Sequence, residues 1–158
     1  MHQLLFYPSQ LIKLFSDIIY SSRVRISGPS MEPSMFEGDM FLATKSRYRM
    51  TNLKNNDVIF FHHPVTNLDY VKRIVAMPND VVKLSSNDFL INGVNFGEAS
   101  FSDEDHLSSV QEWTLKEGEY FVVGDNYDNS NDSRVFGPIN IQWILGIVWY
   151  RYYSGKNE

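Results

Sequence analysis

From residue 23 onward the chain is a succession of short runs rich in β-branched and aromatic residues, each closed by Gly, Asn, Asp or Pro. That punctuation leaves little room for long helices and predicts a mainly β domain built from antiparallel sheets. The runs fall at residues 24–27, 40–44, 58–62, 70–77, 81–84, 89–91, 119–123 and 144–150. Residues 37–39 and 55–57 read as turns leading into strands, and Asn92-Gly93 is the dipeptide of a two-residue hairpin turn. With 158 residues, 43% of them hydrophobic, the chain can bury one sizeable core, so residues 23–158 form a single domain. Residues 97–112 are polar and rich in acids, which predicts a solvated surface loop.

Residues 1–22 behave differently. Leu4, Leu11, Phe15, Ile18 and Ile19 recur at helical spacing, while Gln10, Lys13 and Asp17 fall largely elsewhere, which predicts an amphipathic helix after Pro8. A membrane span needs about 20 predominantly apolar residues, and the polar residues interrupt the run too early. The same interruptions break the apolar stretch of a secretory signal, and no small-residue cleavage site follows. The helix either lies in a membrane interface or packs on the domain.

Composition removes several classes of chemistry. A net charge of −5, with 14 basic residues scattered along the chain, argues against a nucleic-acid partner. There is no cysteine, so disulfides, thiolate metal sites and cysteine catalysis are excluded. No cofactor or metal is expected. An EF-hand frame started at Asp128 lacks glycine at its sixth position and places Ile139 where the bidentate glutamate belongs. Nothing around His2, His62, His63 or His106 marks any of them as a partner for a serine.

Three stretches carry candidate chemistry. In residues 27–33, two prolines fix φ on either side of Ser30 and bias Gly28 and Glu32 away from helix, which holds the serine hydroxyl on a stiff turn. The surrounding residues match neither the G-x-S-x-G elbow nor the S-x-x-K pattern, so the base must come from elsewhere. In residues 69–75, strand alternation puts Tyr70, Lys72 and Ile74 on one face and Val71, Arg73 and Val75 on the other. One cation must face the more buried side, and only lysine could then lose its proton and act as a base. The third stretch, residues 124–134, is a run of short polar side chains that can hydrogen-bond one another into a rigid loop.

Taken together, these stretches resemble the type I signal peptidases, serine proteases with a Ser-Lys dyad. The first box is similar to Gly28-Pro29-Ser30-Met31-Glu32-Pro33, and the lysine box to residues 70–80. The third box resembles GDNxDNSxDSRxFGP, which runs from Gly124 to Pro138. The resemblance implies that Ser30 attacks the scissile carbonyl, Lys72 takes and returns its proton, and Ser130 holds the lysine amine. It assigns Asp132 and Arg134 to buttressing the site, and Ile26, Met31, Tyr70 and Val71 to the walls of shallow pockets for small residues. The oxyanion would be bound by the Ser30 N–H; where some members add a serine hydroxyl two residues earlier, this chain has Gly28.

The family also implies a place and a partner: precursors with N-terminal signal peptides, cut at the outer face of a bacterial cytoplasmic membrane or, alternatively, at the mitochondrial inner membrane. The chain departs from the family's boxes at Tyr127, where an arginine is common, and at Asn79, where glycine is usual. Its brevity is also similar to proteases that mature a single enzyme, such as the nickel superoxide dismutase type. Self-cleaving repressors share the dyad, but residues 1–29 hold neither their DNA-binding domain nor their cleavable linker. A catalytically silent β module that binds peptides as an added strand is the reading outside enzymology.

Overall fold

The computed structural model describes residues 8–45, 47–85, 88–97 and 110–155. Helix α1 (Pro8–Ile19) leads into β1 (Ser21–Arg25) and β2 (Met40–Thr44), and a short helix α2 (Arg47–Met50) precedes β3 (Val58–His63) and β4 (Leu68–Ala76). Next come β5 (Val81–Leu84), β6 (Phe89–Ile91), β7 (Val94–Gly97), β8 (Gln111–Thr114) and β9 (Glu119–Val123). Helix α3 (Ser133–Phe136), β10 (Ile139–Asn140) and β11 (Ile144–Tyr153) complete the order. The strands form a seven-stranded sheet, β1-β2-β11-β3-β4-β9-β10, and a four-stranded sheet, β7-β6-β5-β8. Every pairing is antiparallel, so the expected mainly β class holds.

Turn chemistry sets several corners. Asn92 and Gly93 both take positive φ, 51° and 77°, as a type I′ hairpin turn between β6 and β7 requires. Asn79, standing where the resemblance expects glycine, also takes a positive φ of 76°, a conformation that asparagine tolerates better than most residues.

Three strands go beyond the sequence reading: β7, β8 and β10. Strand β8 corrects the proposed loop at 97–112, because Gln111 and Glu112 pair with Leu84 and Lys83. Its side chains are mostly exposed, so no apolar alternation betrays it; the ladder and Trp113, whose ring sits 5.3 Å from that of Phe121, hold it. Residues 98–109 of that loop lie outside the described residues. Strand β1 also starts and stops earlier than the run 24–27 suggested. Ile26 leaves the ladder to close the next loop, donating to the Asp39 carbonyl and accepting from Gly38 N–H.

Burial follows the alternation. On one side of the large sheet Ile59, Phe61 and Ile74 pack with Val122, Ile139 and Ile147. Elsewhere Val24, Ile26, Met31, Phe41 and Val58 form a second cluster, which Phe60 and Val71 join at its margin. A third cluster, with Val75, Val82, Phe89 and Phe121, fills the space under the small sheet.

Helix α1 docks with its polar side inward. Asp17 is buried and accepts from Arg49 Nε at 3.0 Å, whereas Ile12 and Phe15 are 70% and 66% exposed. The helix thus contacts the domain through its polar side, and its apolar face turns outward. No helix among the described residues is long and apolar enough to cross a membrane.

Asp39 ties the loop that follows β1 to the C-terminal strand. Its fully buried carboxylate accepts from Phe36 N–H at 3.1 Å, Gly155 N–H at 2.8 Å and the Arg151 guanidinium at 3.3 Å. Asp39→Ala leaves these donors without an acceptor and is expected to cost roughly 2–3 kcal/mol, read as a lower urea midpoint.

Candidate active site

Ser30 and Lys72 come from elements far apart in sequence. Gly28, at φ 81°, turns the chain out of the β1 edge, a conformation that an L side chain would strain. Glu32 N–H then donates to the Pro29 carbonyl at 3.0 Å and Met35 N–H to the Met31 carbonyl at 2.9 Å, winding the loop tightly around Ser30. Met31 beneath it is buried in the second cluster. From the other side β4 delivers Lys72 on the same face as Ile74, and the side chain is buried at 2% exposure. Its Nζ lies 2.5 Å from Ser30 Oγ. The sequence left open which cation faces inward; it is the lysine.

Burial is the main influence on that amine. It lowers the Lys72 pKa from its ordinary 10.5 to about 8, with Asp132 and Asp125 pulling it back up and Arg134 pushing it further down. An amine with that pKa is partly neutral near pH 8 and can accept the serine proton. The Tyr70 ring, its centroid 5.8 Å from Nζ, forms part of the surrounding wall.

Arg73, one residue on, points the other way and makes a two-pronged bond to Asp125 at 2.7 and 2.6 Å, with a third bond to the Asn56 carbonyl at 2.9 Å. Burial raises the Asp125 pKa, but Arg73, a Ser34 hydrogen bond and Lys72 outweigh it, and the carboxyl stays below its ordinary value. The sequence reading did not foresee this pair. Its signal was there, since a polar run beside a strand cation must supply a counter-charge, but nothing in the spacing singled out Asp125.

The third box is a buried knot clipped to the end of β9. Asp132, fully buried, accepts from Gly124 N–H at 3.0 Å and from Arg134 Nε and Nη2, both at 2.9 Å. Arg134 spends its remaining reach on the Tyr127 carbonyl at 2.8 Å and lies over the Tyr127 ring at 5.2 Å. Ser133 Oγ accepts from Val122 N–H at 3.0 Å. This knot also holds the Ser30 loop: Asn126 donates its N–H to the Ser30 carbonyl at 3.0 Å and its side-chain amide to the Pro29 carbonyl at 3.2 Å. Gly124 is required for the contact, because a Cβ there would collide with both Ser130 and the Ser30 carbonyl. Sequence reasoning named neither Asn126 nor Gly124 as part of the site.

Ser130 is brought to the same place, but its Oγ is buried without a hydrogen-bond partner among the described residues. Both described histidines stay out of the site. His62 pairs with Asp69 at 2.7 Å, and His63 is enclosed by Phe136 and Trp143; His2 and His106 lie outside the described residues.

A groove of about 350 Å³ runs up to the Ser30–Lys72 pair, lined by residues 23–27 and Met31 on one side and by Phe60 and residues 69–72 on the other. Thus Ile26, Met31, Tyr70 and Val71, expected around the dyad, all line one cleft with it. The groove lies between two strand edges. Among the described residues, strand β1 pairs only with β2 and β4 pairs with β9 only from Arg73 onward, so residues 69–72 have one edge without a strand partner there.

Residues 2–153 match the family described as signal peptidase, peptidase S26. Signal peptidase I V of Bacillus subtilis is 31% identical over 140 residues, covering 78% of this chain and 81% of that protein. Signal peptidase IB of Staphylococcus aureus is 28% identical over 145 residues, 81% of this chain and 75% of that protein. A crystal structure of a signal peptidase I from Enterococcus faecalis V583 aligns with a TM-score of 0.46 at 27% identity, covering 61% of this chain and 96% of that one. The chain therefore belongs to the type I signal peptidase family and is a serine peptidase.

Proposed function

We propose that this chain removes N-terminal signal or leader peptides after small residues, using Ser30 as nucleophile and Lys72 as general base. The observation that carries the reading is the buried amine at 2.5 Å from the serine hydroxyl, at the end of a groove bounded by two unpaired strand edges. An extended peptide entering that groove can satisfy its own backbone N–H and C=O groups against both edges, as an added strand. Side chains on its inward face then meet Ile26, Met31 and Val71, and the shallow apolar walls favour small residues there.

In this mechanism neutral Lys72 accepts the Ser30 proton as Oγ attacks the scissile carbonyl. The Ser30 N–H, which donates to no acceptor among the described residues, is available for the oxyanion. Space around Gly28 is open, so the second donor is water, backbone or the Ser27 hydroxyl at the groove wall. Lys72 returns its proton to the departing amine, then activates the water that releases the acyl-enzyme. Ser130 holds the lysine amine during these transfers; its buried, unsatisfied hydroxyl is a group that such a contact would relieve. Asp132 and Arg134 keep the third box rigid behind the dyad. A silent peptide-binding module would have no use for a buried, pKa-lowered lysine.

The same reading places the catalytic domain, residues 23–158, at a membrane surface, with residues 1–22 as the contact. The apolar face of α1, with Leu11, Ile12, Phe15, Ile18 and Ile19 outward, has the character of a helix that lies in the lipid interface. The full chain is expected to co-sediment with lipid vesicles, and a variant with Ile12→Glu and Phe15→Glu to stay in the supernatant. Equal sedimentation of the two would remove α1 from the membrane contact.

Ser30→Ala, Lys72→Ala and Lys72→Arg should each abolish cleavage of an Ala-x-Ala peptide, the last because guanidinium keeps its proton. Ser130→Ala should lose roughly ten- to a hundredfold, the size of a lost orienting hydrogen bond. Turnover by Lys72→Arg close to wild type would end the dyad assignment.

Lys72 also ties activity and stability to pH. Its folded pKa lies below the unfolded value, so between about 8 and 10.5 the unfolded chain binds more protons and stability rises with pH. The destabilising contribution is complete below about pH 8, worth ~3 kcal/mol at 1.36 kcal/mol per unit, and gone above 10.5. Lys72→Met should therefore be inactive yet more stable than wild type at pH 7, with the difference shrinking towards pH 10, as denaturant unfolding would report. A methionine variant less stable at both pH values would remove the physical basis for a neutral amine. Wild-type kcat/KM should climb with pH through an apparent pKa near 8.

A further inference from the structure

Two charged groups in the groove are not used by the mechanism above. Arg23 and Arg25 stand on the open edge strand β1, both exposed, and both line the groove. Neither guanidinium makes a hydrogen bond or ion pair with another described residue, whereas Arg49, Arg73, Arg134 and Arg151 all have carboxylate partners. In a chain of net charge −5, two unpaired guanidinium groups side by side on a substrate groove form a local field of the opposite sign.

Alternation says which part of a bound peptide they meet. Val24 and Ile26 turn into the second core cluster together with Val71 from the opposite wall; Arg23 and Arg25 therefore project to the other face of the strand. A peptide strand laid between β1 and β4 alternates in the same way, and cross-strand neighbours share a face. Residues at the first and third positions before the cut face the apolar walls. Those at the second, fourth and sixth face the arginine side, with the fourth and sixth nearest to Arg25 and Arg23. Asp69 on the opposite wall does not cancel this field: register places it with Val71, on the apolar face, where His62 engages it at 2.7 Å.

We propose that Arg23 and Arg25 select leader peptides with acidic residues at the even-numbered positions before the cleavage site. The inference rests on the peptidase reading and deepens it by naming a charge preference at positions that the apolar pockets leave unread. An anionic lipid headgroup is the rival occupant. The peptide is favoured because both arginines line the groove itself.

The test uses the full chain and three Ala-x-Ala peptides that carry Glu, Ala or Lys at the second, fourth and sixth positions before the cut. Wild type should prefer Glu over Lys by about tenfold in kcat/KM, as expected for a few solvent-screened charge pairs, with Ala between them. The preference should fade as sodium chloride is raised. Arg23→Ala with Arg25→Ala should bring the Glu-to-Lys ratio to about one. Arg23→Glu with Arg25→Glu should reverse the order. Cleavage of the Ala peptide with equal rates for Glu and Lys would overturn the selection while leaving the peptidase reading intact. Failure of the folded wild-type chain to cut any of the three would overturn that reading, and the selection with it. If the double glutamate variant loses binding to phosphatidylglycerol vesicles but keeps the wild-type peptide order, the arginines belong to a lipid surface and the selection is overturned.

Discussion

A lysine amine taken out of water organises this molecule. Burying a cationic group opposes folding unless it is paired or gives up its proton, and among the described residues Lys72 has no carboxylate in contact. Its nearest polar neighbour is Ser30 Oγ, while Asp132 and Asp125 act on it only through space. Those two acids are committed elsewhere, Asp132 to Arg134 and Asp125 to Arg73. Had either carboxylate been released to pair with the amine, Lys72 would regain its proton and cease to be a base. The two arginine clamps thus do more than brace loops. They occupy the acids that would otherwise quench the site.

Rigidity around the dyad comes from cross-links between segments distant in sequence. Asn126 grips the backbone on both sides of the Pro29–Ser30 peptide, Asp132 holds Gly124, and Asp39 closes the far end of the same loop against the C-terminal strand. Apart from the exposed bond to the Pro29 carbonyl, these bonds have a buried or half-buried acceptor and a backbone donor, and they resist loosening more than a solvent-facing pair would. Ser30 sits on irregular backbone that is nevertheless held at several points.

How much of this was readable in the sequence depended on the kind of signal. Strands with an apolar face, such as β2, β5, β6 and β9, announce themselves through β-branched residues between turn signals, and their bounds agree with the structure. Strand β8 does not, because Gln111, Glu112 and Thr114 owe their conformation to pairing with β5 and carry no periodicity of their own. In the site, strand alternation reduced the choice between Lys72 and Arg73 to one of two faces, and only tertiary packing could decide it. Ser130 shows the same limit: sequence places it near the dyad, but the orientation of a hydroxyl is a property of its surroundings. The Arg73–Asp125 pair spans 52 positions, too far for any local pattern to express.

The groove between β1 and β4 has a further consequence for what can be processed at all. Its two strand edges offer hydrogen bonds only to a backbone whose own donors and acceptors are uncommitted. A helix or an interior sheet strand has already used those groups within its own fold. On the proposed function the site reads conformational state ahead of side-chain identity: a cleavable sequence inside a folded domain is invisible to it, and the same sequence in a slack tether between two folded or membrane-held parts is accessible. Protection of a finished protein from this peptidase follows from its having folded.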